Sequence, residues 1–349
     1  MANIELNYFA SINLNDTFFD SLKNDYTHFS TWYNKKSEEN AIAYTLNTEY
    51  GLSAFLYLKI ENIIDTSIIP KLSEKKRLKV GTFKINAHGT KLGERFVKKI
   101  FDNATENNID EIYVTVFKHH ESLINLLETF GFKNYGKKTS TDGTEIVLIK
   151  SIGDIIYDVL KDYPCVVTEN TQKHVLSILP QYHSRLFPDS ILNNESYNLL
   201  EDISHANSIY KVYMAKMSGI TDFNVGDSIF IYRTKDDKGS AFYRSVITSL
   251  CVVKEVKNIN DFNTFDEFNR YVSAFTIFTY EELRYFFNTK RYPYIIKMTY
   301  NVAFNKRVTN GKLIEMGINP DYWGVFKVSN EEFYQILEAG VVNESLIVN

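Results

Sequence analysis

The segment 77–132 constrains the fold more than any other part of this chain, because several elements follow one another in it at short intervals. A strand-like run, 77–85, leads into a loop that carries two glycines. The helical pattern that follows has apolar residues at Leu92, Phe96, Val97, Ile100, Phe101 and Ala104. A second strand-like run and a second helix then end at Gly131-Phe132. The order predicts a βαβ unit with a glycine loop after its first strand.

The two glycines of this loop, Gly89 and Gly93, lie where the strand becomes the helix. Unpaired backbone amides and the positive end of the helix dipole meet at such a point, and both favour a bound phosphate. Glycine also lets a ligand approach the backbone closely. The loop therefore predicts a phosphate-binding site at 88–93.

This arrangement resembles the GNAT family of acetyl-CoA-dependent N-acetyltransferases, in which a pyrophosphate loop of the pattern Q/R-x-x-G-x-G/A follows the fourth strand. His88 stands at the first position of that pattern, Lys91 replaces the first glycine and Gly93 fills the last position. The helix that ends in Gly131-Phe132 is a second family feature. The resemblance implies acetyl-CoA as cosubstrate, held by Phe83, Lys84, Ile85, His88, Gly89, Thr90, Lys91, Leu92, Gly93 and His120.

The same resemblance covers residues 1–150, which we predict to form a GNAT-like acetyltransferase domain. A strand-like run at 4–12 precedes a helix capped by Asp16, and two runs, 41–47 and 53–60, read as a hairpin. With a final strand at 145–150, the order is β, α, ββ, β, α, β, α, β. This is the GNAT order, and it implies a mixed α/β sheet with flanking helices.

Catalysis by such a domain requires an amine acceptor beside a thioester, a group that takes up the amine proton and often an acid for the departing thiolate. The family's usual acid is a tyrosine of the helix before Gly-Phe, where this chain has Leu126 and Leu127. The acid role then falls to Tyr113, His119, His120 or Tyr135, or to solvent, unless catalysis has been lost. The base candidate is Glu61, and its rivals are Asp20 and Asp25.

The second half of the chain changes character after a segment punctuated by prolines, which we predict to be a linker at 151–175. Strand-like runs follow at 208–215, 227–233 and 243–256. The stretches 225–234, 241–247 and 252–256 resemble the PUA-like superfamily, which includes ASCH and EVE domains. The resemblance implies a small β-barrel with helices over 176–349.

PUA-like domains commonly bind RNA or modified bases, so the resemblance also implies an RNA or ribonucleoprotein partner. Cationic side chains can contact phosphates while aromatic rings stack on bases. The residues of this half that combine the two are Lys211, Tyr213, Arg233, Tyr243 and Arg244. Equally, the tyrosines can belong to the core and Arg233 can be a charge at the barrel rim.

Composition agrees with two folded domains, since the chain has 349 residues, of which 44% are apolar and 23% are charged. Cys165 and Cys251 have no metal-ligand spacing, so we expect neither disulfides nor a bound metal. The first residues lack the pattern of a secretory signal, and no apolar run approaches the ~18 residues that span a bilayer. We therefore expect a cytoplasmic protein without a membrane partner.

Together these patterns predict an acetyl-CoA-dependent N-acetyltransferase whose second domain recruits the substrate. The acceptor is expected to be an amine of an RNA, an aminoacyl-tRNA or a ribonucleoprotein. The alternative is a non-catalytic regulatory protein that senses acetyl-CoA or binds nucleic acid. Spacing indicates no Ser-His-Asp, Cys-His or paired-carboxylate site, which disfavours a hydrolase.

Overall fold

The computed structural model describes residues 4–62, 64–86, 92–190 and 208–349. The chain divides into two compact units, Met1–Ile152 and Gly153–Asn349. The sequence-based domain bounds stay a prediction. Tyr163 and Cys165 of the expected linker are buried, and the Tyr163 hydroxyl donates a hydrogen bond to the Tyr300 carbonyl oxygen at 3.1 Å. These contacts attach the segment to the core of the second unit.

The first unit is built on a mixed sheet of eight strands in the order β1-β2-β3-β5-β6-β8-β7-β4. The strands are β1 Ile4–Tyr8, β2 Ile42–Thr48, β3 Gly51–Asn62, β4 Ile68–Ile69, β5 Lys76–Ile85, β6 Glu111–Phe117, β7 Lys133–Ser140 and β8 Gly143–Ser151. The helices are α1 Asp20–Asp25, α2 Phe29–Glu38, α3 Leu92–Glu106 and α4 Glu121–Thr129, with short 3-10 turns at Phe9–Ser11 and Thr17–Phe19. Only β5 and β6 pair in parallel among the described neighbours of this sheet.

Aromatic residues form much of the core under the N-terminal helices. The Phe9 ring lies 5.4 Å from Phe55 and 5.2 Å from Tyr57 on β3, both in edge contact. The buried face of α3 carries Leu92, Phe96, Val97, Ile100, Phe101 and Ala104, as the helical spacing predicts. This packing holds α3 and the N-terminal helices against the sheet, and so bounds the space beside β5.

The second unit contains a six-stranded sheet in the order β11-β14-β13-β12-β10-β15 and a separate parallel pair, β9 with β16. The strands are β9 Val166–Val167, β10 Lys173–Ile178, β11 Tyr210–Ala215, β12 Ser228–Arg233, β13 Val246–Asn258, β14 Tyr294–Thr309, β15 Val325–Lys327 and β16 Ile347–Val348. The helices are α5 Pro180–Leu186, α6 Ala241–Arg244, α7 Phe265–Val272, α8 Tyr280–Thr289, α9 Asn310–Glu315 and α10 Asn330–Ala339. Short 3-10 turns occur at Pro188–Ser190, Ser218–Asp222, Ile259–Asp261 and Glu344–Leu346.

The prediction of a mixed α/β fold is confirmed, and the hairpin expected before segment 77–132 is β2 and β3. One prediction is wrong: residues 241–244 form α6 and not the start of a strand, so β13 begins at Val246. Strand β7 was not predicted, because its exposed positions include tyrosine and lysine without regular apolar alternation. Within the described residues, no helix combines the length and apolar character that crossing a membrane requires.

Candidate functional site

A cleft in the first unit opens where two neighbouring strands part. β5 and β6 are paired only at Leu78, Lys79 and Val80, although both strands continue beyond this point. β5 goes on to Ile85 with β3 as its partner, while β6 goes on to Phe117 with β8 as its partner. Between the two strands the backbone hydrogen bonds therefore stop after three residue pairs.

Gly81 lies at the point of divergence. The register between β3 and β5 shifts there, because Leu58 pairs with Val80 while Tyr57 pairs with Thr82 and Gly81 has no opposite residue. Such a bulge bends a strand and increases its twist. A Cβ atom on Gly81 would lie 2.7 Å from Cδ1 of Tyr57, so the bend fits against this ring only without a side chain.

The cleft has a volume of about 1080 Å³, which suits a ligand larger than a typical metabolite. One wall is the free edge of β5 beyond Val80, and the other is the end of β6 with the start of α4. In an extended strand alternate residues direct their N–H and C=O groups to opposite sides, so half of the β5 residues after Val80 present backbone groups to the cleft. The lining includes Tyr26, His28, Gly81, Thr82, Phe83, Lys84, Ile85, Gly93, Val116, His119, His120, Ser122, Leu123 and Leu126.

The N-terminal end of α3 also lines this cleft, through Gly93 and Glu94. Gly93 is needed for close packing, since a Cβ atom there would lie 2.7 Å from Cδ2 of Leu126 on α4. Leu92 is buried at the first position of α3 and is not part of the lining. His88, Gly89, Thr90 and Lys91, the other predicted phosphate-loop residues, lie outside the described residues.

Three predicted ligands on β5, Phe83, Lys84 and Ile85, line the cleft. The Lys84 ammonium is held by neighbouring protein groups: it donates hydrogen bonds to the Phe18 carbonyl oxygen and, at 2.6 Å, to Oγ of Ser21. Burial lowers the pKa of Lys84. These contacts assign the Lys84 side chain to anchoring the N-terminal segment on β5.

Glu61 and Tyr113, predicted as base and acid, are brought together, but away from the cleft lining. The buried Tyr113 hydroxyl donates a hydrogen bond to Oε2 of Glu61, and Lys59 Nζ lies 2.8 Å from Oε1. Burial acts to raise the pKa of Glu61, but hydrogen bonds from Lys59 and Tyr113 outweigh it and leave that pKa lowered. Burial, and then Glu61, raise the pKa of Tyr113. The geometry is that of a buried structural pair.

Tyr135, the third predicted acid, lies on β7 and is half-exposed. Its hydroxyl donates a hydrogen bond to the Lys71 carbonyl oxygen at 3.2 Å, and its side chain is not part of the cleft lining. Of the four predicted catalytic residues, His119 alone lines the cleft in the part of the chain that the structure describes.

Two histidines that line the cleft, His119 and His120, form a polar cluster with Asp25, which we call the His-Asp cluster. Nε2 of His120 lies 2.9 Å from Oδ2 of Asp25, and Nε2 of His119 lies 3.4 Å from Oδ1. The turn between β6 and α4 positions both imidazoles, since the His120 N–H donates to the Phe117 carbonyl oxygen at 3.0 Å. Asp25 is the last residue of α1. An imidazole oriented by a carboxylate can accept a proton from a substrate.

A second polar pair in the cleft region was not predicted from the sequence. The Tyr26 hydroxyl donates to Oε1 of the buried Glu145 at 2.8 Å. Burial, and then Glu145, raise the pKa of Tyr26. The Thr27 N–H donates to Oδ1 of Asp142 at 3.0 Å, which lowers the pKa of that carboxyl. These bonds fasten the loop after α1 to β8 and its hairpin, and so hold Asp25 near the histidines.

The predicted nucleic-acid residues of the second unit fall into two groups. Lys211, Tyr213 and Arg233 are buried, so their side chains do not form a surface for RNA in this structure. These side chains were predicted to face RNA, but the strands that carry them, β11 and β12, are buried along their whole length. Tyr243 on α6 is 74% exposed, and the Arg244 guanidinium next to it contacts the Asp236 carboxylate. Tyr243 and Arg244 are the two that lie toward the surface.

No protein-family model matches the sequence, and no curated protein matches it. Solved structures do match. ASCH from Zymomonas mobilis is 9% identical, with 48% of this chain and 94% of that chain covered and a TM-score of 0.31. IAA acetyltransferase from Bacillus cereus is 10% identical, with 44% and 100% covered and a TM-score of 0.32. An acetyltransferase from Bacillus subtilis in complex with CoA is 12% identical, with 44% and 99% covered and a TM-score of 0.31.

The matching structures thus include both kinds of protein that the sequence resembles, ASCH domains and acetyltransferases, each over about half of this chain.

Proposed function

We propose that the first unit transfers an acetyl group from acetyl-CoA to an amine. The observation that carries this proposal is the parting of β5 and β6 after Val80, which opens a long cleft between two strands of one sheet. A parted parallel pair offers backbone N–H groups in an extended row. A linear amide-containing chain such as pantetheine can bind along such a row as an additional strand.

The fit of the cosubstrate rests on two further features. The N-terminal end of the 15-residue helix α3 lines the cleft, and the amides of a helix start attract phosphate oxygens. Gly93 keeps this helix start free of a side chain where it contacts Leu126. The residues proposed to hold acetyl-CoA are therefore Gly93 and the β5 backbone at Phe83 and Ile85, together with the loop 88–91.

The reaction joins the amine nitrogen to the acyl carbon and breaks the carbon–sulfur bond. His120 donates a hydrogen bond from Nε2 to Oδ2 of Asp25 at 2.9 Å, and its Nδ1 takes the proton that the amine nitrogen loses. The thiolate takes a proton from solvent, since a thiol of pKa about 8.5 is largely protonated at neutral pH. His119, stacked on Phe117 at 5.6 Å between ring centroids, completes the polar wall against which the acceptor amine lies.

The acceptor that we propose is an amine of an RNA, an aminoacyl-tRNA or a ribonucleoprotein, bound by the second unit. Support comes from the exposed Tyr243 ring beside Phe242 and Arg244 on α6. An exposed aromatic ring can stack on a base and contribute about 1–3 kcal/mol. Filter binding with cellular RNA at several salt concentrations tests this: Tyr243→Ala should weaken retention, while Tyr157→Ala, an equally exposed tyrosine, should not. Equal retention by both variants contradicts the assignment.

The test of acetyl transfer uses the whole chain. Purified protein is incubated with labelled acetyl-CoA and a cell extract, and the label is then measured in RNA and in protein fractions. Asp25→Asn and His120→Ala should each remove most of the transfer, whereas Asp20→Asn, the same change on the same helix at a carboxylate that contacts Lys23, should retain it. Calorimetry with acetyl-CoA runs in parallel. A chain that binds no acetyl-CoA contradicts the proposal.

The second candidate function is non-catalytic sensing of acetyl-CoA, which the sequence raises through Leu127. This leucine stands where the family's tyrosine acid is expected, and it is fully buried. A sensor binds acetyl-CoA with the same cleft but releases no free thiol above the uncatalysed rate. Saturable binding without label transfer to any fraction would select this function over the enzyme.

A further inference from the structure

We propose that the His-Asp cluster is a binding site for one divalent transition-metal ion, with Zn²⁺ as the natural probe. One ligand atom each from Asp25, His119 and His120 lie within 4.8 Å of one another. No metal was expected from the cysteines, and the site comes instead from a carboxylate and two imidazoles that the fold brings together.

The distances between the ligand atoms of the His-Asp cluster are close to those in a zinc site. Zinc binds imidazole nitrogen and carboxylate oxygen at about 2.0–2.2 Å, so two ligand atoms of a tetrahedral site are separated by about 3.3 Å. Nε2 of His119 and Oδ1 of Asp25 are 3.4 Å apart, and Nε2 of His120 and Oδ2 of Asp25 are 2.9 Å apart. These two contacts use different carboxylate oxygens, and the three ligand atoms lie within 4.8 Å of one another, so an ion that takes one atom from each residue draws the widest pair together by up to about 1.5 Å.

The type of ligand sets the class of metal. Imidazoles favour zinc, copper and nickel, while magnesium and calcium prefer all-oxygen sites. The two histidines are adjacent in sequence, and the backbone turn from Phe117 through His120 fixes their spacing before a metal binds. Their ring centroids are 4.2 Å apart. Pre-positioned imidazoles reduce the ordering that binding requires.

Exposure indicates an open site. His119 is 61% exposed at its side chain and Asp25 is 19% exposed, so one side of the cluster faces the cleft and solvent. Three protein ligands with a free fourth position are typical of zinc sites that exchange ligands, as opposed to closed structural sites. The fourth position would lie in the cleft, where water or an acceptor molecule can reach it.

The site has a consequence that rests on the proposed acetyl transfer. In the proposed reaction Nε2 of His120 carries the hydrogen that is bonded to Asp25, and Nδ1 accepts the acceptor's proton. A metal ion on Nε2 displaces that hydrogen and leaves a neutral imidazole whose hydrogen is on Nδ1, so the ring can no longer accept a proton. Zn²⁺ should therefore inhibit acetyl transfer in proportion to its occupancy of the His-Asp cluster, and a chelator should restore the rate. The metal is then a regulator of the cleft and not a part of the reaction.

The first test is metal binding alone, measured by calorimetry on chelator-treated protein without a histidine tag. We expect one Zn²⁺ per chain in the wild type and no saturable Mg²⁺ binding. His119→Ala and His120→Ala should weaken the affinity at least tenfold, because loss even of a group that only orients a ligand costs about 10–100-fold. His28→Ala, another cleft histidine outside the cluster, should bind as the wild type does.

Co²⁺ supplies a second readout, because a cobalt ion bound by these ligands gives visible absorption bands that the two variants should lose. Wild-type protein that takes up no Zn²⁺, or histidine variants that bind it unchanged, would overturn the site. Turnover is measured separately on metal-free protein. If the protein binds Zn²⁺ but the metal-free protein transfers no acetyl group, the metal site stands and the proposed function is refuted. If acetyl transfer continues at its full rate when Zn²⁺ saturates the site, the proposed inhibition is refuted.

Discussion

The Glu61–Tyr113 pair allows a sharp separation of structural from catalytic residues. Tyr113 is buried, and its hydroxyl donates a hydrogen bond to a carboxylate whose pKa is lowered. Hydrogen bonds to charged groups contribute about 1.5–3 kcal/mol. Tyr113→Phe should lower the free energy of unfolding of the first unit by that amount, since Glu61 keeps Lys59 as a partner but loses its buried donor.

For a unit of 152 residues, this loss corresponds to a fall of about 3–12 °C in its melting temperature. Hydrogen exchange in increasing urea, followed by mass spectrometry of peptides from β3 and β6, measures the free energy of unfolding of this unit separately from that of the second unit. Tyr135→Phe is the matched control, because its hydroxyl bond to Lys71 lies at a half-exposed position. It should cost less than about 0.5 kcal/mol.

A structural role and a catalytic role for Tyr113 predict opposite effects of Tyr113→Phe on activity. If the pair is structural, Tyr113→Phe at a temperature where it is folded should release free thiol from acetyl-CoA at the wild-type rate. A folded Tyr113→Phe variant that loses turnover but keeps the wild-type stability would refute the reasoning. Tyr113 would then again be the candidate acid.

Three further outcomes are expected. Gly81→Ala should destabilise the first unit by about 1–3 kcal/mol and weaken acetyl-CoA binding in calorimetry, because the new methyl group would lie 2.7 Å from the buried Tyr57 ring. Asp25→Asn should slow acetyl transfer more than Asp20→Asn does, as judged by label incorporation. Burial, and then Arg233 and Arg307, lower the pKa of His183 to about 3. Below pH ~6.5 the unfolded chain therefore binds a proton that the folded chain does not, and the second unit should lose about 1.4 kcal/mol per pH unit on acidification toward pH 3. Urea titrations between pH 7 and 5 should show a shallower slope for His183→Gln.

Segment 77–132 could be predicted from the sequence because its signals are local. Helical spacing fixes the buried face of α3, and the strands on either side are apolar runs of ordinary length. The parting of β5 and β6 has no such local signal. In the structure it depends on Gly81 meeting the Tyr57 ring, a contact between strands that no local pattern contains.

The His-Asp cluster could not be predicted as a unit for the same reason. Asp25 and His120 are 95 residues apart, and the loop after α1 is held in place by Tyr26 and Glu145, which are also distant in sequence. In the second unit, the alternation of side chains along a strand could not distinguish buried from exposed positions on β11 and β12. Both faces of these strands are covered, so a lysine or arginine there is buried like its apolar neighbours.

The orientation of α4 bears on the choice between an enzyme and a sensor. Ser122, Leu123 and Leu126 line the cleft, whereas Leu127 lies about 100° further round the helix and is fully buried. A tyrosine at 127 would meet the core in this packing, so its absence removes no proton donor from the cleft wall. The two imidazoles of the His-Asp cluster, which line the cleft, lie in the turn before α4. In the proposed reaction, proton transfer therefore depends on the turn before the helix, and a leucine at position 127 does not by itself argue for a sensor.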